Sequence, residues 1–353
     1  MVKSLTNVNS LCLCTATLAA FAVSSSSAVA QVVESQKVMT LVPSTPIAAE
    51  TAPDTKDTAA QQTTDAKDKE AAKPEYVRIK RNERRLATAL QTSIIQFTDS
   101  KKHPETTVDL VGAIHLGEAS YYEELNKRFK DYEVVLFEAV MPEKAVAQDM
   151  RPGVGKRGSI VSGEQDWNEA KIGLAAIGAL QLGMKDALGL DFQLTTVDYS
   201  PRNFVHADMT QEEFESTMAA RGESFSQLLA QEMAKASVAA QKSNPVAQQL
   251  DFMLSMMTSD RVYRVRRIAA VELTKANEGT AFAGSDGTST IITERNSKAF
   301  QVLQNELFLG KKKIAVFYGA GHFPDMEERL IEKFGYKRNK EEWITAWELT
   351  AKK

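Results

Sequence analysis

The sequence predicts an α/β fold: a central mixed or largely parallel sheet, flanking helices, and a mainly helical insertion between two halves. Three observations carry that expectation. Apolar runs such as Thr106–Ile114, Glu133–Val140 and Lys313–Tyr318 alternate with segments whose apolar residues recur at helical spacing. The stretch from Thr210 to about Ala276 reads as consecutive helices, which places an insertion at about 200–290. The order strand, Gly-x-x-His, helix occurs twice, at Gly112–His115 and Gly319–His322.

Taken in order, Leu86–Phe97 mixes apolar and polar residues as a strand does. With Thr106–Ile114 it predicts an antiparallel hairpin around the polar Thr98–Glu105. Glu118–Lys130 is helical, with Tyr121, Leu125 and Phe129 on one face, and Glu133–Val140 is a buried-type strand. Gly153–Ser159 reads as a Gly/Lys/Arg loop, Trp167–Leu190 as an apolar helix, and Gln193–Val197 as a further short strand. Thr210 and Glu213 form a capping box that opens the next helix. Thr293–Leu309 is a helix, Lys313–Tyr318 a strand, Pro324–Phe334 a helix, and Tyr336–Leu349 a last strand pair.

The folded body is expected over 75–353. Before it, Lys3, the apolar run Leu11–Val23 and Ala28-Val29-Ala30 have the order of a secretory signal peptide over 1–30, cut near Ala30. That apolar run is shorter than the ~20 residues that span a bilayer, so the mature chain is expected to lack a transmembrane helix and to be exported to the periplasm or the exterior. Residues 31–74 hold no aromatic residue and no glycine, and are rich in Ala, Thr, Asp and Lys; they read as a disordered linker that cannot bury enough apolar surface to order itself.

Composition narrows the chemistry. The net charge of −3 gives no basic surface for nucleic acid. Both cysteines, Cys12 and Cys14, fall in the leader, which excludes cysteine nucleophiles, cysteine zinc sites and disulfides from the body. Four histidines remain as imidazole candidates. Two of them, His115 and His322, stand at equivalent strand-to-helix junctions, where open α/β sheets place their ligands. Glu138 and Asp198 also end strands. Two imidazoles with a carboxylate can hold a divalent ion of the Mn, Co or Zn class while leaving positions open for water. The glycine that opens each motif is expected to let the backbone turn sharply and a ligand approach closely.

The segments GAIH-LGEASYYEEL, VVLFEAV, ITERN and YGAGHFPDMEERL resemble the TraB/PrgY–TIKI superfamily over roughly Leu86–Phe334. Erythromycin-esterase and ChaN-like groups share its general fold. The resemblance implies a metal-dependent, peptidase-like hydrolase site built from His115, His322, Glu138 and Arg295, with a peptide or protein as substrate. ChaN-type relatives bind haem, so fold and motif alone do not fix the reaction.

Roles follow from these residue types. His115 and His322 are expected as metal ligands, and Glu138 as third ligand or general base. Arg295 has a fork suited to an oxyanion or a carboxylate. Glu118 is a second carboxylate or an orienting group. His206, Asp198 and Tyr199 are candidates for a surrounding shell. Each has a plainer reading: Glu138 and Arg295 as a buried ion pair, Glu118 as favourable charge at a helix start, His206 as loop packing, and Arg264, Arg266 and Arg267 as competitors of Arg295. A non-catalytic peptide- or haem-binding module and a metal-free esterase with a histidine base are the alternative functions.

Overall fold

In this computed structural model the described residues are 74–152 except 99, 185–231 except 186, 225, 226 and 229, 260–276 and 288–351. The leader, residues 31–73, the Gly153–Ser159 loop, nearly all of Trp167–Leu190 and the MLSMM stretch lie outside them.

A mixed, mostly parallel sheet of seven strands organises the chain, and helices cover both of its faces. Strands β1 (Val77–Arg81), β2 (Ala87–Thr98) and β3 (Thr107–Ala113) come first; then, after the short β4 (Leu116–Gly117), helix α1 (Ala119–Arg128) and a 3-10 turn, comes β5 (Val134–Phe137). Helix α2 (Glu143–Ala147), β6 (Asp191–Phe192), α3 (Gln193–Thr196), β7 (Phe204–His206), α4 (Gln211–Ala220) and α5 (Arg261–Ala276) follow. Helix α6 (Arg295–Phe308), β8 (Lys313–Gly319), a 3-10 turn, α7 (Phe323–Glu332) and β9 (Lys337–Glu348) complete the described elements.

Four strands, in the spatial order β3-β8-β5-β7, run parallel, while β2 joins β3 antiparallel and is itself flanked by β1 and β9. The parallel strands are buried on both faces, which is why Val134–Phe137 and Ile314–Tyr318 are continuous apolar runs. Alternate residues feed two cores. Val111, Phe137, Phe317 and Trp347 lie in one, and Val108, Leu136, Val316 and Phe323 in the other. Burying each such side chain fully contributes roughly 1.5–3 kcal/mol. No helix among the described residues is long and apolar enough to cross a membrane.

Three expectations need correction. Gln193–Val197 is a single helical turn: the Oγ1 hydroxyls of Thr195 and Thr196 both donate to the Phe192 carbonyl, and Val197 N–H closes on Gln193 O. Tyr336–Leu349 contributes one long strand, held along β2 from Thr98 to Ala89, and not a pair. Phe204–His206, placed in the helical insertion from sequence, is a strand of the main sheet beside β5. The capping box forms as read, with Thr210 and Glu213 each bonding the other's backbone N–H.

A candidate active site at the carboxyl ends of the parallel strands

Each parallel strand delivers one polar side chain just past its carboxyl end: His115 after β3, His322 after β8, Glu138 after β5 and Asp208 after β7. Adjacent register (Gly112 opposite Tyr318, Phe137 opposite both Phe317 and His206) brings these ends together. The last member arrives from the other side: the chain makes a π-helical turn over Thr290–Glu294, capped by Ser289, and passes directly into α6, whose first residue is Arg295. All five side chains are buried.

Arg295 is the hub. Its Nε–H and Nη2–H donate to Asp208 Oδ1 and Oδ2 at 2.9 and 2.6 Å, and Nη2–H also donates to Glu138 Oε1 at 2.7 Å. The other Glu138 oxygen, Oε2, accepts the Gly319 N–H at 2.7 Å. Burial pushes the Glu138 carboxyl up, but the Arg295 charge, the two histidines and that N–H together hold it below its ordinary range. Burial lowers Arg295 less than the Asp208 and Glu138 charges raise it, so the guanidinium stays cationic. With its fork committed to two carboxylates, Arg295 acts as the counter-charge that fixes Glu138; it does not present the open fork expected from the sequence.

The histidines carry no charge here. Burial drives His322 down to about 4 and lowers His115 as well, against the opposing pull of Glu138. Their Nδ1 atoms are hydrogen-bonded, His322 to Asn296 Oδ1 at 2.6 Å and His115 to Gln193 Oε1 at 3.1 Å. Their Nε2 atoms are buried without a hydrogen-bond partner among the described residues. His322 Nε2 lies 3.6 Å from Glu138 Oε1.

These atoms suit a divalent cation in chemistry and, in part, in geometry. Among the described residues, the cluster sets one guanidinium against two carboxylates, an excess of negative charge in a place sealed from water, and it leaves two imidazole nitrogens unbonded. Two ligands of one tetrahedral ion at ~2.1 Å are separated by about 3.4 Å, close to the His322–Glu138 spacing. No group of three or more His, Cys, Asp or Glu side chains among the described residues is arranged to hold a metal ion.

The other sequence candidates lie outside the cluster or support it. Glu118 pairs with Arg266 at 2.7 Å and accepts the Glu348 N–H, so it braces the start of α1 against α5 and the chain's end. Asp198 is exposed and bonds the Ser200 N–H and hydroxyl. Tyr199 is buried and receives a hydrogen bond from Gln193 Nε2, one bond removed from His115. His206 Nε2 donates to the Ala139 carbonyl at 2.6 Å; burial lowers its pKa, and it packs the loop. Arg264 and Arg267 share Asp260, away from Glu138.

Sequence reasoning missed three members: Asp208, Asn296 and Gln193. Asn296 directly follows Arg295, and Asp208 comes two residues after a histidine at a strand end; those were the available signals. A polar cleft of about 190 Å³ opens at the opposite, amino end of the parallel strands, between Asp109, Lys313 and the Arg128–Tyr132 segment, and no residue of the cluster lines it. No protein-family model, curated protein or solved structure matches the chain.

Proposed function

We propose that this chain is an exported, divalent-metal-dependent hydrolase with peptide-like substrates, of the kind its resemblance to the TraB/PrgY–TIKI superfamily implies. The observation that carries this reading is a pair of buried, neutral imidazoles whose Nε2 atoms have no hydrogen-bond partner among the described residues, set around a carboxylate kept ionised by Arg295. His115, His322 and Glu138 would hold the ion. The chemistry such an ion supplies is activation of water near neutral pH. Arg295 and the Gly319 N–H hold Glu138 ionised and aimed at His322, and Asp208 offsets the guanidinium's second interaction so that Glu138 is not neutralised outright. Export is supported by the leader pattern over 1–30.

The test is elemental analysis of the purified protein after loading with Mn, Co or Zn, repeated on His115→Ala and His322→Ala. About one ion per wild-type chain, lost in both variants together with peptide hydrolysis, is expected. A folded wild type that binds none of these metals overturns the proposal. A second reading, a metal-free hydrolase with His322 as base, is favoured by the lack of a ready three-ligand group. Peptide or ester hydrolysis that survives excess chelator selects it.

A further inference from the structure

The two histidines are held by the same device, built from unrelated stretches of chain. Asn296 Nδ2–H donates to the His322 backbone carbonyl at 3.1 Å while Asn296 Oδ1 meets the ring Nδ1. Gln193 N–H donates to the His115 backbone carbonyl at 2.8 Å while Gln193 Oε1 meets that ring's Nδ1. In each case one residue grips the histidine at two points, main chain and ring, so the imidazole has little freedom to rotate.

Chemistry orients the Asn296 amide. Asn296 Nδ2 also faces Asp325 Oδ2 at 2.7 Å; a carbonyl and a carboxylate only accept, so the NH2 group must lie there and the oxygen must face His322. Asp325 is in turn fixed by Arg329 at 2.7 Å, which also donates to Ser297 Oγ and the Thr293 carbonyl. In the structure Gln193 Nε2–H donates to the Tyr199 hydroxyl at 3.0 Å and its oxygen faces His115. An amide oxygen cannot donate, so each ring's Nδ1 must carry the hydrogen. In a neutral imidazole the other nitrogen then bears a lone pair.

We propose that Asn296 and Gln193 are positioning residues that lock His322 and His115 in the Nδ1–H tautomer, so that both Nε2 lone pairs face the space beside Glu138. The tautomer claim stands on hydrogen bonding alone; its consequence for cation affinity rests on the metal reading above.

Two measurements separate those parts. Nitrogen-15 NMR of the ring atoms of chelated, metal-free wild-type protein reads the tautomer directly. Both rings are expected with a protonated Nδ1 and a bare Nε2, and a predominant Nε2–H form at either ring overturns the proposal for that ring. Asn296→Leu and Gln193→Leu remove the acceptors. Each is expected to raise the Nε2–H population of its own histidine only, and to weaken binding of Co²⁺ alone about 10–100-fold. Gln193→Glu keeps an acceptor at Nδ1 of His115, with its second oxygen able to accept from the Tyr199 hydroxyl, and is expected to keep that tautomer. If wild type binds no Co²⁺ yet shows the tautomer, the metal reading fails and the positioning role stands. A leucine variant whose ring keeps the wild-type tautomer overturns the role. Should the leucine variants not fold, the wild-type spectrum still decides the tautomer, and Gln193→Glu completes the test at His115.

Discussion

The two Gly-x-x-His turns begin alike, on strands that lie side by side, and then diverge. After Gly319 the chain makes a 3-10 turn through His322 and continues straight into α7, with Pro324 at the helix start. After Gly112 it detours: His115 is followed by the two-residue β4, which pairs with β6, and α1 starts only at Ala119. His322 therefore rests against the sheet with Glu138 Oε1 at 3.6 Å and Asn296, Asp325 and Arg329 behind it. His115 is held through Gln193 by the short turn α3, while the Tyr122 hydroxyl donates to the Ile114 carbonyl and Trp347 Nε1–H to the Leu116 carbonyl on either side of it. One half of the site is braced by long helices, the other by a short turn together with α1 and β9.

Both halves share one dependency, and removing it should give the largest effect. Arg295→Leu leaves Glu138 and Asp208 buried without their cation, and breaking a buried pair in this way costs about 3–5 kcal/mol. A urea midpoint lowered by that amount is expected. A variant as stable as wild type would mean that the three charges are not a structural unit and that the halves stand independently.

Acid should probe the halves next. Burial lowers His322 from its ordinary 6.5 to about 4 and lowers His115 and His206 as well. Below pH 6.5 the unfolded chain takes up protons that the folded chain refuses, so stability is full above 6.5 and falls as pH drops toward 4. For His322 alone the loss amounts to roughly 3 kcal/mol. Glu138 has the same sign of linkage in a lower window: its depressed carboxyl adds stability that is lost only below its ordinary 4.5. Chelated His322→Gln protein should therefore lose less stability than wild type between pH 6.5 and 4. Equal slopes would place His322 in a wetter setting than this one.

How much of this the sequence disclosed varies by residue. His115 and His322 were legible because histidine is scarce in the chain and the same pattern recurs at two strand ends. Glu138 stood out as a charge closing an apolar run. Asn296 and Gln193 could not be found in that way, since an amide has no periodicity and gains its role only when a distant ring faces it. Asp208 was masked by a loop that already looked complete as the lead-in to a capping box. The Thr-Thr-Val run at 195–197 has strand propensity, yet its two hydroxyls satisfy a helical-turn carbonyl, and that local bonding prevailed over propensity.

Gly112 also serves the packing of the sheet, which can be tested. Neither Gly112 nor Gly319 has a positive φ. What Gly112 supplies is space: a Cβ there would sit 3.0 Å from the Ser93 carbonyl oxygen on β2 and 3.4 Å from Thr92 Cβ. Gly112→Ala is expected to cost about 1–3 kcal/mol in a thermal melt through overpacking. An unchanged melt would show that β2 and β3 yield easily at this position.

The smallest effect separates a support from a participant. Glu118 lies three residues beyond His115, close enough in sequence to pass for part of the site, yet its carboxylate is spent on Arg266 and the Glu348 N–H. Arg266 does not depend on it, because the same guanidinium also donates to the carbonyls of Leu188, Gly189 and Glu348. Glu118→Gln keeps an oxygen to accept from Arg266 while removing the charge, so about 1 kcal/mol or less of stability should be lost. Hydrolysis and Co²⁺ affinity should stay within about twofold of wild type, a difference of under ~0.5 kcal/mol. A drop of a hundredfold in either with the fold intact would move Glu118 into the site, and would mean that the detour after Gly112 carries a ligand where only a brace is visible.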